Sequence, residues 1–216
     1  MIFHKKGFTS ITRLSDKNSF KYFLISHHPV ESGVPRLINK TPVFPKDKYI
    51  NNILVKLDEF LKIHIEAQIK SGASIIQIFD SWAGLLPERD LEYFVYKPIK
   101  SLVDFIRQKK TISICFPRNI NSYKKFVDNV NPDIISIDYN VNPSIIRDTI
   151  NIPIQGGFDP KILLQNKEIV RNEVTKYLKT FDKKRYIFNL GHGVLPKTNP
   201  DMVRYLVDEV RSYNGK

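Results

Sequence analysis

Cysteine is almost absent: Cys115 stands alone among 216 residues. That excludes an internal disulfide framework and suits a reducing compartment. Cys115 lies in the apolar run from Ile112 to Phe116, where the expectation is a buried, inert thiol rather than a nucleophile. No apolar run is long enough to span a bilayer, so no membrane segment is expected. The opening Met1-Ile2-Phe3-His4-Lys5-Lys6 has no apolar stretch behind its charges, which argues against a secretory leader. The glycine-rich fingerprint G-x-G-x-x-G of dinucleotide-binding folds does not occur. Acidic residues are outnumbered, 22 against 34 Lys and Arg, for a net charge of +12.

The charge is uneven. Nine basic residues before Tyr49 face three acidic ones, so half of the net charge sits in the first 48 residues. A basic head raises nucleic acid or an acidic membrane surface as partners. The lysines are scattered, however, and none of the usual nucleic-acid motifs appears, so no nucleic acid and no membrane partner is expected. A polyanionic small substrate would be served as well. A coding bias that enriches Lys, Ile and Asn gives the same totals with no function at all, and is the simplest account.

With 42% hydrophobic residues, a chain of this length buries a core of its own. Residues 1–48 form an irregular segment with Pro29, Pro35, Pro42 and Pro45 and at most a short strand at Tyr22-Phe23-Leu24-Ile25. From residue 49 to 216 the pattern is regular. Ile50, Ile53, Leu54, Leu57, Phe60, Leu61, Ile65 and Ile69 make a helical stripe closed by Ser71-Gly72. Short apolar runs of the buried parallel-strand type follow at Ser74 to Phe79, Thr111 to Phe116, Asp133 to Asp138, Pro153 to Gly157 and Arg185 to Asn189. Helical patterns separate them: one opened by Pro87 and Glu88, then Tyr123 to Val130, Ser144 to Thr149, Pro160 to Thr180, and a last one starting at Asn199-Pro200. Each parallel strand needs a crossover to return beside its neighbour, so the fold class is α/β.

Polar residues follow the strand ends: Asp80 and Ser81, Arg118, Asp138, Gln155 and His192. A barrel gathers such residues at one mouth. The expected architecture is therefore a partial (β/α)8 TIM barrel, about its last five strand-helix units, since a closed one takes eight. Asn189-Leu190-Gly191-His192-Gly193 delivers one imidazole on a sharply turning backbone, either as a site residue or as a hydrogen-bonded turn residue. Ser81 reads either as a site hydroxyl or as the cap of the next helix. Asp159 before Pro160 reads as a helix N-cap, Asp80 and Asp138 as ties between loops, and Trp82 as packing.

The segments Gln77-Ile78-Phe79-Asp80-Ser81-Trp82-Ala83-Gly84, Ser136-Ile137-Asp138-Tyr139, Gln155-Gly156-Gly157-Phe158-Asp159-Pro160 and Phe188-Asn189-Leu190-Gly191-His192-Gly193 resemble, in order and spacing, those of the uroporphyrinogen decarboxylases. The resemblance runs from about Tyr49 onward. It implies a TIM barrel and a cofactor-independent carboxy-lyase of porphyrin (haem) biosynthesis, which removes the acetate carboxyls of uroporphyrinogen to give coproporphyrinogen. It further implies a cytoplasmic protein, usually homodimeric, with no metal. Position by position it makes Ser81 and His192 substrate-binding residues that hydrogen-bond the carboxylates of the tetrapyrrole.

The family's arginine motif, its catalytic aspartate and its G-A-P-W-T segment have no equivalent in residues 1–48, so no residue is assigned a catalytic role. A faint echo remains in Val30-Glu31-Ser32-Gly33, with His28 where the family has a tyrosine. Phe116-Pro117-Arg118 continues as Asn119-Ile120-Asn121 in place of a glycine-containing turn. The expectation is a C-terminal fragment with doubtful activity of its own. Three alternatives stand beside it: a half-barrel completed in trans by an N-terminal fragment, a non-catalytic porphyrinogen binder, and an inert remnant. A cobalamin-dependent methyltransferase on the same barrel would need a zinc-binding His and Cys set that Cys115 alone does not supply.

Overall fold

A computed structural model describes residues 22–25, as backbone, together with 46, 48–182 and 184–213. Most of the 1–48 segment, including His28 and Glu31, lies outside the described residues. The chain divides into two compact units, one ending at Ile134 and the other running from Ile135 onward.

In the first unit, strand β1 (Tyr22–Ile25) is followed by helix α1 (Lys48–Lys70), strand β2 (Ile75–Asp80), helices α2 (Glu88–Leu91) and α3 (Lys97–Gln108), strand β3 (Ile112–Pro117) and helix α4 (Tyr123–Val130). β1 pairs parallel to β2, and β2 parallel to β3, with Ile75 opposite Ile112 and Asp80 opposite Pro117. α3 turns Ile99, Leu102, Val103 and Ile106 inward, a helical spacing that gives a single apolar face. Against this face lies Phe126 of α4, fully buried and edge-on to the Tyr96 ring. The one long helix foreseen after Pro87 contains a π turn, Glu92–Tyr96, between α2 and α3. Pro98 lacks an N–H and would crowd the carbonyl of Phe94, and a widened turn relieves that conflict.

The stripe on α1 behaves differently from its periodicity. Ile65 and Gln68 are buried, but Ile53, Leu57 and Phe60 are exposed, Phe60 at 69%. A hydrophobic period shows that a face can pack; it does not supply what packs on it.

In the second unit, strand β4 (Ile134–Ile137) leads to helix α5 (Pro143–Thr149), strand β5 (Ile154–Gly156), a 3-10 turn (Pro160–Leu164), helix α6 (Lys167–Thr180), strand β6 (Tyr186–Ile187) and helix α7 (Pro200–Ser212). β4 pairs parallel to β5 and β5 parallel to β6. Phe158, Leu163, Val170, Val174, Leu190, Val203 and Leu206 form the core. The single helix expected from Pro160 to Thr180 is broken, because the Asn166 side chain accepts the Ile169 N–H and restarts it. The final strand is shorter than expected and continues only as a bridge from Leu190 to Phe158.

The asparagines that inflate the composition are put to work. Asn142, Asn166 and Asn199 cap helices, and Asn119 and Asn131 take left-handed backbone at φ 56° and 55°. Asn tolerates that conformation better than other residues with a side chain. Asn119 thus stands where a glycine was expected and does its conformational work. In both units parallel strands alternate with helices, the architecture of an α/β fold and of part of a (β/α)8 barrel.

Candidate functional site

Two groups of polar residues mark the carboxyl ends of the strands, one in each unit. In the first unit, β2 ends in an Asx turn: Asp80 Oδ1 accepts the Trp82 N–H at 3.1 Å. Asp80 therefore ties the loop, as expected. It also leaves Ser81 with nothing to cap, since the following 3-10 turn (Ala83–Leu85) and α2 both lack a side-chain cap. Trp82, read as packing, is corrected by the structure: it is 45% exposed, because the Asx turn carries it off the sheet.

Phe79 and Phe116 are opposite in register and touch edge to face at 5.9 Å. Asp80 and Pro117 close the register, and Ser81 and Arg118 are the residues that follow them, where both strands enter turns. Cys115 is fully buried, and burial, with a smaller contribution from Asp133, pushes its thiol well above the usual range. This is the inert thiol that its strand position suggested. Asp133 instead accepts both the Ser113 N–H and hydroxyl, at 2.9 and 2.7 Å.

Burial also holds the Asp80 carboxyl above the usual Asp range, with the Trp82 and Ala83 N–H groups pulling the other way. An acid whose folded pKa exceeds its unfolded pKa binds protons more readily when folded. Its contribution to stability is full below the unfolded pKa and is lost as pH rises through the folded one. Asp80→Asn keeps an acceptor for Trp82 and removes the ionisation. The variant is expected to be at least as stable as wild type at neutral pH and to lack the decline above the usual Asp range. Urea midpoints across the acid-to-neutral range check this, and a variant weaker than wild type only at neutral pH would contradict it.

In the second unit the loop after β6 is fastened to the ends of β4 and β5. Gly191 N–H donates to the Phe158 carbonyl at 2.8 Å, and Phe158 N–H to the Asn189 carbonyl at 3.3 Å. A Cβ at Gly191 would stand against the Tyr139 amide nitrogen and 2.8 Å from the Asp138 carbonyl carbon. Glycine is needed there for close approach, not for an unusual dihedral. This brings His192 beside Tyr139, their rings edge to face at 6.5 Å. Gly193 N–H donates to His192 Nδ1 at 2.7 Å. In the neutral ring the proton therefore resides on Nε2, which is a donor.

Asp138 is 1% exposed, a buried residue of the rim. Gln155, foreseen as a strand-end residue, is buried inside the sheet and donates to Ser136 Oγ at 3.4 Å. Asp159 does cap its turn, accepting the Lys161 N–H at 2.9 Å. Tyr139 and Lys161, whose ammonium lies 5.7 Å from the Tyr139 ring centroid, were not foreseen as neighbours of His192. Tyr139 sat in a recognised segment, but only the close approach of Gly191 gives it that place. Ser81 and His192 are thus each at the carboxyl end of a parallel strand, in separate units.

Parallel strands alternating with helices, with hydroxyl, guanidinium, imidazole and phenol groups at the strands' carboxyl ends, are the features of a barrel-type α/β protein. Residues 40–213 match the family model of uroporphyrinogen decarboxylase (URO-D). The uroporphyrinogen decarboxylase of Rickettsia bellii is 38% identical over 83% of this chain and 54% of its own length. Those of Rickettsia felis and Rickettsia akari are each 37% identical, over 78% and 76% of this chain and 51% of their own. The chain belongs to the uroporphyrinogen decarboxylase family, and it spans about half the length of these curated relatives. Among solved structures, a thiamine phosphate pyrophosphorylase from Pyrococcus furiosus aligns at TM-score 0.33 and 12% identity over 69% of this chain and 89% of that one, too distant to bear on function. Among the described residues no helix is long and apolar enough to cross a membrane.

Proposed function

We propose that this chain supplies the carboxylate-holding part of a uroporphyrinogen decarboxylase, a carboxy-lyase acting on a tetrapyrrole polycarboxylate in the cytoplasm. Ser81 and His192 are its substrate-binding residues. The observation that carries this reading is the Gly193 N–H to Nδ1 bond, which leaves His192 Nε2 as a donor. A carboxylate accepts and does not donate, so an N–H and a hydroxyl bind it without neutralising it. The carboxyl group stays ionised, so that carbon dioxide can leave as a neutral molecule while the bonding electron pair remains on the carbon it leaves. Ser81 fits the same role because the turn beside it is tied by Asp80.

The test is fluorescence titration of the purified chain with uroporphyrin, a stable oxidised form of the substrate. Ser81→Ala and His192→Ala are each expected to weaken binding by about tenfold, the worth of one good hydrogen bond to a charged group. Unchanged affinity in both variants would sink the reading. Conversion is followed in parallel: coproporphyrinogen formed by the chain alone would overturn the expectation that the family's aspartate is required.

A further inference from the structure

Five of the described arginines, Arg89, Arg107, Arg147, Arg171 and Arg204, pair with a carboxylate. Of the other three, Arg185 and Arg211 are exposed and solvated. Arg118 is half-buried and makes no side-chain hydrogen bond or ion pair among the described residues. A half-buried arginine with no carboxylate on it among the described residues has its fork of donors available for an anionic ligand.

Its backbone is held firmly. Arg118 N–H donates to the Asp80 carbonyl at 3.0 Å, extending the β2–β3 ladder by one step, and its own carbonyl accepts the Gly84 N–H at 2.9 Å. Gly84 is pressed so close to this strand end that a Cβ there would meet the Asn119 carbonyl and lie 2.6 Å from the Asn119 Cβ. The two loops therefore form one clamp, with Ser81 and Arg118 each following directly on the last paired residues of β2 and β3, Asp80 and Pro117. Asp80, the neighbouring carboxylate, is committed to Trp82.

We infer that Arg118 is the charge partner of a substrate carboxylate, which it binds together with the Ser81 hydroxyl. The pairing rests on the substrate reading above and extends it, since neither Ser81 nor His192 neutralises charge. A guanidinium offers a planar fork of donors that matches a carboxylate, and the hydroxyl takes a remaining lone pair.

The experiment titrates wild type, Arg118→Gln and Arg118→Lys with uroporphyrin and, separately, with benzenehexacarboxylate, at several salt concentrations. Circular dichroism checks that the variants fold, which is expected because the Arg118 side chain has no partner to lose among the described residues. Arg118→Gln should weaken uroporphyrin binding by about tenfold or more and flatten its salt dependence, and Arg118→Lys should recover part of the loss, keeping charge without the fork. If all three bind uroporphyrin equally, the clamp is overturned and the tetrapyrrole reading stands. Arg118-dependent binding of benzenehexacarboxylate without any uroporphyrin binding would keep the clamp and overturn that reading. Binding of neither probe to wild type overturns both.

Discussion

Replacing Gly191 by alanine is expected to destabilise the second unit by about 3 kcal/mol, at the upper end of what overpacking usually costs. The added methyl would stand against the Tyr139 amide nitrogen, 2.8 Å from the Asp138 carbonyl carbon and 2.9 Å from the Tyr139 Cα. All three are backbone atoms at the end of β4, so no side chain can swing aside. Relief requires the loop to lift, which breaks the Gly191 N–H bond to the Phe158 carbonyl and carries His192 away from Tyr139. Urea denaturation reads the first effect and uroporphyrin titration the second. A wild-type urea midpoint in Gly191→Ala would mean that the loop is not fastened as described.

Phe158→Ala should cost about 4 kcal/mol, in the range measured for buried aromatic-to-alanine changes. Phe158 is 1% exposed and its ring meets Tyr177 at 5.8 Å and Phe188 at 5.1 Å. It is also part of the core that α6 and α7 share. Removing the ring leaves a cavity among side chains held by two helices and a strand, with little freedom to collapse. Stabilities of ordinary domains are about 5–15 kcal/mol, so this one change removes a large fraction. Phe158→Leu, which keeps most of the volume, should lose clearly less. Equal losses in the two variants would show that ring packing is not what holds the unit.

Much of this was legible beforehand because local physics decides it. The strand at Ile75–Asp80, the helix at Tyr123–Val130 and the caps at Asp159 and Asn199 follow from apolar period and from side chains that bond their own neighbouring amides. The break before α6 left its own mark, four polar residues from Gln165 to Glu168 with the cap type Asn166 among them, but the helical patterns on either side obscured it. The π turn was not legible, since Leu91, Phe94, Val95 and Ile99 keep helical spacing straight through it. Nor could the period on α1 say that Leu57 and Phe60 would be left uncovered, because exposure depends on what lies opposite.

The sequence by itself determined the α/β class, the family and the two residues, Ser81 and His192, that stand at strand ends. These depend on spacing along the chain, which the sequence contains directly. Only the tertiary structure decided that Gly191 is required by the backbone of Tyr139, that His192 Nδ1 accepts the Gly193 N–H, that Asp80 rather than Ser81 ties its turn, and that Arg118 is half-buried without a counterion among the described residues. Each of these is a contact, or the want of one, between residues brought together by folding, and distance along the chain carries no record of it.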